Sequence, residues 1–414
     1  SGISVSLSSD GSTVAIGAVY NDDYGSNAGH VRIYQWNATN ESWEQKGADI
    51  DGEAAYDYSG SSVSLSSDGS TVAIAAYRND GNNGISSNNR GHVRIYQWVP
   101  NAASDGSWDQ LGVDIDGEAA LDYSGQSVSL SSDGRTVAIG ARGGEDAGTL
   151  SGHVRIYQWV PNAASDGSWE QKGADIDGEA ANDNSGWSVS LSSDGSTVAI
   201  GAYRNGVGDG TLSGHVRIYQ RDPNAASDVP WEQKGADIDG EAASDWSGWS
   251  VSLSSDGSTV AIGARVNDGD NRIDSGHVRI YQWNATTPTT GSWDQKGADI
   301  DGEAADDNSG YSVSLSSDGS TVAIGAYGND GNDGNGGDSG HVRIYQWNAT
   351  NKSWDQLGVD IDGEDTSDWS GWSVSLSSDG STVAIGARVN DGDNGIDSGH
   401  VRIYTLSSTA KFTP

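Results

Sequence analysis

The chain has 414 residues, 59 acidic against 22 basic side chains, a formal charge of −37, and neither cysteine nor methionine. Such a surface repels phosphate backbones and anionic lipid, which excludes nucleic acid and membrane surfaces as partners, and no apolar run is long enough for membrane insertion. Without cysteine there is neither a disulfide framework nor thiol chemistry. With only 34% hydrophobic residues at this charge, composition alone points to disorder.

Periodicity overrules composition. The octet SVSLSSDG starts at Ser4, Ser62, Ser127, Ser188, Ser250, Ser312 and Ser373, and GHVRIY at Gly29, Gly91, Gly152, Gly214, Gly276, Gly340 and Gly399. The period of 58 to 65 residues is that of one supersecondary unit copied seven times, with repeats starting near 1, 59, 124, 185, 247, 309 and 370. Residues 1–414 therefore read as a single domain, with 405–414 as a C-terminal tail. The chain opens inside a repeat and without methionine, as a mature product or an excised region would.

Within a unit, Ser4 to Ser8 alternates Val5 and Leu7 with serine, Asp10-Gly11 turns, and Thr13 to Ala18 alternates Val14 and Ile16 with Ala15 and Gly17. A variable acidic loop, Val19 to Ala28, leads to a third strand, His30 to Trp36. A second loop leads to a fourth, Trp43 to Ile50, and Asp51 to Tyr58 passes the chain to the next unit. Seven such meanders, small residues on the first two strands and Arg, Tyr and Trp on the last two, predict an all-β, seven-bladed β-propeller of four-stranded antiparallel blades. Its seventh blade is incomplete in sequence: the SWxQ…DIDGE strand occurs six times, at Trp43, Trp108, Trp169, Trp231, Trp293 and Trp354.

The order SGxSVSLSSDGSTVAIGA followed by GHVRIY resembles the FG-GAP repeat family, found in the integrin α-chain propeller and in surface proteins of algae and bacteria. The resemblance covers the whole chain and implies a seven-bladed propeller that binds partners or builds surfaces. The family's Phe is Ser throughout (Ser1, Ser59, Ser124, Ser185, Ser247, Ser309, Ser370), its closing Pro is absent, and its calcium loop between the first two strands is cut to the SSDG turn.

Calcium has another candidate place. Asp268, Asp270 and Asp274 in the fifth unit, Asp330 and Asp333 in the sixth, and Asp391, Asp393 and Asp397 in the seventh supply carboxylates at calcium-ligand spacing, though Asn, Asp and Gly also dominate plain solvated turns. A second candidate site is the aromatic set at the blade junctions: Tyr58, Tyr123, Trp187, Trp246, Trp249, Tyr311, Trp369 and Trp372, beside Asp57, Asp245 and Asp368. Rings next to carboxylates can grip sugars, and several weak copies would favour multivalent capture of a polysaccharide; the same rings can equally fill the wedge between blades.

The seven histidines share one strand position and read as structural. No unit shows a distinguished acid, base or nucleophile, which argues against an enzyme, even though DIDGE carboxylates could pair across blades as in a glycosidase. Five glycosylation sequons, at Asn37, Asn40, Asn284, Asn348 and Asn351, fall after the third strands. Salt shortens the screening length from about 8 Å at physiological strength to about 3 Å near 1 M, so saline surroundings suit this charge. The expected function is an extracellular or cell-surface, non-enzymatic structural, adhesion or assembly module. Its partners would be other surface or matrix proteins, further copies of itself or a polysaccharide; a glycan-binding propeller is the alternative.

Overall fold

The computed structural model describes residues 1–80, 88–101, 104–144, 149–162, 167–206, 212–222, 224–268, 273–285, 290–330, 337–391, 398–406 and 412–413. Among them every regular element is a strand, and the strands form seven antiparallel sheets in chain order. The fold is the seven-bladed propeller expected.

The first blade shows the plan. β1 (Ser4–Leu7), β2 (Thr13–Ala18), β3 (His30–Asn37) and β4 (Ser42–Gln45) form a meander, and a two-residue β5 (Ile50–Asp51) pairs with the opposite end of β3. Thus the single outer strand expected over Trp43 to Ile50 is broken. Gly47 turns the backbone at φ 83°, and a Cβ there would sit 2.8 Å from Trp98 and 2.9 Å from Trp108 of the second blade. The break is what lets the neighbouring Trp pair pack against this blade.

The SSDG turn is held by its own side chains. Ser8 Oγ donates to Asp10 at 2.7 Å and accepts from the Thr13 amide, while Asp10 also accepts from the Ser12 amide at 2.9 Å. These contacts fix the Leu7–Val14 register, so Val5, Leu7 and Val14 are buried against the neighbouring blade.

Ring closure also comes from the octet. The Ser9 amide donates to the Ser67 carbonyl, Ser67 to Ser132, Ser132 to Ser193, Ser193 to Ser255, Ser255 to Ser317, Ser317 to Ser378, and Ser378 back to Ser9, all at 2.8–2.9 Å. A parallel circuit runs through side chains: each inner-strand Leu amide donates to the previous blade's octet serine, from Leu65 on Ser6 at 2.9 Å to Leu7 on Ser375 at 3.0 Å. Two closed hydrogen-bond circuits thus surround the axis.

The core lies between blades. Val31, Ile33 and Ile50 of the first blade pack on Val63, Leu65, Val72 and Ile74 of the second, and the layer repeats around the ring. Where the seventh blade meets the first, the layer is thinner. That blade has Ser370–Leu376, Thr382–Ala387 and His400–Leu406, with a two-residue fourth strand, Phe412–Thr413, pairing only with Thr405 and Leu406. No counterpart of β5 is present among the described residues, and Ile16, Val401 and Ile403 are only partly buried.

The circuits make a stability prediction. Ser190→Ala strips the Leu253 amide of its acceptor and should cost about 1–3 kcal/mol in chemical denaturation, whereas Ser292→Ala at the exposed rim should stay within about 0.5 kcal/mol. Equal effects would show that the circuit carries no special load.

Candidate ligand site at the channel mouth

The residue before each inner strand is Ile3, Ser61, Gln126, Trp187, Trp249, Tyr311 and Trp372 in turn. The first strand's start and the second strand's end lie on one face of the propeller, opposite the SSDG turns. On that face equivalent rings of consecutive blades touch: Trp187 and Trp249 at 4.7 Å, Trp249 and Tyr311 at 5.6 Å, Tyr311 and Trp372 at 4.5 Å between centroids. Only side chains at the narrow inner radius of a propeller can meet in this way, so the rings line the mouth of the central channel. Blades four to seven give it an aromatic wall, and blades one to three a smaller one of Ile3, Ser61 and Gln126.

A second ring of residues interleaves with the first. The position after the second strand reads Val19, Tyr77, Arg142, Tyr203, Arg265, Tyr327 and Arg388, so tyrosine and arginine alternate through six blades. Arg142 stacks on Tyr123 at 4.3 Å, Arg265 on Trp249 at 4.1 Å and Trp246 at 4.5 Å, and Arg388 on Trp372 at 4.4 Å. Arg265 donates to Asn308 Oδ1 at 2.7 Å and Arg388 to the Tyr20 hydroxyl at 2.8 Å. Among the described residues none of the three makes an ion pair, whereas Arg94, Arg155, Arg217, Arg279 and Arg343 each face a glutamate of the preceding blade. The Nε groups of Arg142 and Arg265 are buried without a hydrogen-bond partner. Burial lowers the pKa of both guanidiniums, as expected for cations shielded from water; the Asp274 carboxylate acts on Arg265 in the opposite direction.

Backbone strain gathers here as well. Tyr58, Tyr123, Trp246 and Trp369 hold φ between 54° and 57°, where the other two equivalent blades use Asn184 and Asn308. A bulky side chain in the left-handed region is costly. Trp246 and Trp369 stack on Trp249 and Trp372, at 5.7 and 5.6 Å between centroids. Burial pushes the Tyr311 phenol far up.

The aromatic residues named from sequence are therefore brought together, but around the channel and not as separate blade-junction sites. Their carboxylates point elsewhere. Asp57, Asp245 and Asp368 are 2–3% exposed, and each accepts from backbone amides of the turn after DGE, as Asp245 does from Ala242 at 2.7 Å. They hold the chain crossing between blades and have no face free for sugar hydroxyls. Burial pushes Asp57 and Asp245 up.

Of the acids proposed for calcium, Asp270, Asp333, Asp393 and Asp397 lie outside the described residues. Asp268 accepts from the Asp274 amide at 3.1 Å and Asp330 from the Gly337 amide at 3.2 Å, each tying its own loop; Asp391 lies at the start of its loop. Burial raises Asp274, and the carboxylates of Asp268 and Asp306 raise it further, against the opposing effect of Arg265.

Groups able to hold a metal ion occur instead between blades, where each histidine meets two acids: Glu53, His92 and Asp114; Glu118, His153 and Asp175; Glu179, His215 and Asp237; Glu241, His277 and Asp299. In the third of these, His215 Nδ1 lies 3.8 Å from Glu179 and 3.9 Å from Asp237, and is buried without a hydrogen bond. At the first blade the group is Asp23, His30 and Asp49. Burial lowers His92, His215, His277 and His341 to a pKa of about 4, with the neighbouring arginines acting in the same direction. The sequons lie at the outer ends of the third strands or just beyond. Asn37 and Asn40 donate to Glu44, Asn284 to Asp294 and Asn348 to Asp355, and Asn351 is exposed beside Asn348.

Solved propellers share this fold. A Bacteroides uniformis protein, provisionally named as a 6-phosphogluconolactonase, superposes with a TM-score of 0.59 at 11% identity, over 97% of this chain and 94% of its own. PpgL, the periplasmic gluconolactonase of Pseudomonas aeruginosa, gives 0.58 at 14% identity, with the same coverage. No protein-family model matches the chain, and no curated protein matches it in sequence. At these identities the likeness shows the fold alone. The expectation of a non-enzymatic structural, adhesion or glycan-binding module is corrected against these counterparts, which are named as lactonases and not as structural or adhesion proteins. The expectation of no enzyme came from the lack of a distinguished acid, base or nucleophile in any unit; the variation that it passed over is the Tyr–Arg alternation directly after the second strands, at Arg142, Arg265 and Arg388.

The buried histidines predict an acid sensitivity. A base whose folded pKa lies below its unfolded value of about 6.5 contributes stability that is complete above that pH and lost as pH falls toward about 4. Glu179 opposes this, since burial raises its carboxyl. Comparison with His215→Gln isolates the histidine: the wild-type advantage in chemical denaturation should shrink by roughly 2 kcal/mol between about pH 7.5 and about pH 5. A constant difference would mean that His215 binds protons alike in the folded and unfolded states.

Proposed function

We propose that the chain hydrolyses the lactone of a sugar acid bound at the channel mouth. The observation that carries this reading is the trio Arg142, Arg265 and Arg388, guanidiniums stacked on aromatic rings and, among the described residues, outside any salt bridge, in a protein of formal charge −37. A cluster of cations at an aromatic-walled opening is suited to an anionic or strongly polar ligand. The flat faces of Trp187, Trp249 and Trp372 suit a sugar ring. The names of the structural counterparts, a gluconolactonase and a 6-phosphogluconolactonase, supply the matching substrate class.

In this mechanism the lactone carbonyl oxygen is held by the guanidinium of Arg265, which stabilises the negative charge that develops when water attacks. Asp274, raised by burial and by neighbouring carboxylates into a more basic range, takes the proton of that water. Collapse of the tetrahedral intermediate breaks the ring C–O bond, the departing oxygen takes the proton back from Asp274, and the hydroxy acid that remains gives its carboxyl proton to bulk water, so that its carboxylate pairs with the arginines. Arg265→Gln should lower kcat/KM for D-glucono-1,5-lactone by about 100-fold or more, and Asp274→Asn should lower kcat with a flattened acidic limb of the pH profile. If the wild-type chain leaves this lactone and its 6-phosphate at the uncatalysed rate, the reading fails.

The acid–histidine groups bear on the cofactor. Their neutral imidazole and two carboxylates suit a borderline ion such as zinc or manganese better than calcium, which takes six to eight oxygens. Glu179, His215 and Asp237 would hold such an ion between blades, tying the outer strand of one to the next. EDTA treatment should then lower the melting temperature and zinc or manganese restore it, with calcium ineffective; a melt indifferent to all of these removes the metal. A place outside the cytoplasm accords with the periplasmic counterpart and with the acidic, cysteine-free composition.

A further inference from the structure

We propose that the chain binds divalent transition-metal ions as a set, one in each of several seams between blades, and so carries metal as cargo in multiple copies. The proposal rests on the same ligand chemistry as the ion placed at Glu179, His215 and Asp237, multiplies it, and stands whether or not the chain hydrolyses lactones. Six groups of three or more metal-ligating side chains occur among the described residues. The four at His92, His153, His215 and His277 share one plan: the histidine and an aspartate come from one blade, and a glutamate from the blade before.

The spacing is that of ligands around an ion. His92, His215 and His277, 1–2% exposed, each place Nδ1 3.8–3.9 Å from an oxygen of both acids. This is too long for a hydrogen bond, and Nδ1 of His153 and His215 is buried without a partner. It lies close to the edge, roughly 3.3–3.4 Å, of a tetrahedron whose corners stand about 2.0–2.1 Å from an ion at its centre. A contraction of about 0.5 Å would close three ligands on that ion, and water can take the fourth corner. The two anionic oxygens repel each other across the imidazole, and a divalent ion converts that repulsion into attraction.

Both carboxylates are held in that pose from behind. Gln110, Gln171, Gln233 and Gln295 each donate to Oδ1 of the aspartate four residues on, at 2.5–2.7 Å, which leaves Oδ2 for the histidine. Arg94, Arg155, Arg217 and Arg279, each donating to a backbone carbonyl of the preceding blade, lie 3.6–3.9 Å from Oε1 of the glutamate. In three of these seams Oε2 of that glutamate is the oxygen that faces the histidine. Metal sites orient their ligands by such outer hydrogen bonds and charges, which gives the repeated glutamine and arginine a purpose beyond packing. Ions can enter from solvent: the Glu179 and Asp237 side chains are 37% and 29% exposed, and at the first seam a groove of about 420 Å³ is lined by Asp51, Glu53 and Arg94.

The test is equilibrium dialysis of the full chain against zinc chloride, in saline buffer with excess calcium to occupy plain surface carboxylates, with bound zinc counted by atomic emission. Four to six equivalents per chain are expected. Glu179→Gln, at a partly exposed side chain, should remove one of them, and Gln233→Leu, at an exposed one, should weaken one by about tenfold or more. Three equivalents or fewer overturn the set; a single equivalent that Glu179→Gln abolishes would keep the one ion and still overturn its multiplication. Four or more equivalents that neither variant alters would be surface counter-ions, and would overturn the proposal as well.

Discussion

The structure depends on two circuits of hydrogen bonds that close on themselves around the axis, one through the serine backbone at Ser9 and its counterparts, the other from leucine amides to serine hydroxyls. Each blade gives and receives one bond in each circuit, so every blade must present the same groups at the same height. This requirement explains the invariance of SVSLSSDG in a chain whose loops drift freely. It also explains how a protein with little aliphatic bulk holds together. The apolar layers between blades are thin, but each is clamped at its inner edge, where the geometry tolerates least variation.

Identity is free to vary at the positions that the circuits do not constrain. The residue before the inner strand and the residue after the second strand lie at the two ends of the hairpin that the circuits clamp, so they are placed with equal accuracy and yet are free in identity. Tryptophan, tyrosine and arginine collect there, and the ring converts small differences between repeats into one asymmetric opening, aromatic on one side and small or polar on the other. The interblade acid–histidine groups follow the opposite logic. They are copied blade by blade because each ties one outer strand to the next.

The repeat, the alternation and the turn residues made the propeller legible, including its incomplete last blade, because strand register and turn chemistry are local properties. The roles of Ser6 and Ser9 were not legible, since their partners lie about one repeat away and belong to another blade. The acids beside the rings misled for the same reason: proximity in sequence placed Asp245 next to Trp246, while the fold turned the carboxylate into the backbone and the ring toward the axis. Gly47 was read as part of a strand because nothing local marks the tryptophan pair that bears on it from the second blade. Arg142, Arg265 and Arg388 needed comparison across blades, down one column of the repeat and not along it.

The serine circuit also bears on traffic through the molecule. Seven backbones linked side by side at the usual strand spacing enclose a circle of roughly 11 Å between chain centres, and the side chains of Leu7, Ser9 and their counterparts crowd its interior to a hollow of about 120 Å³. Anything that travels along the axis therefore meets two unlike ends, hydroxyls and backbone at the serine circuit, rings and guanidiniums at the other.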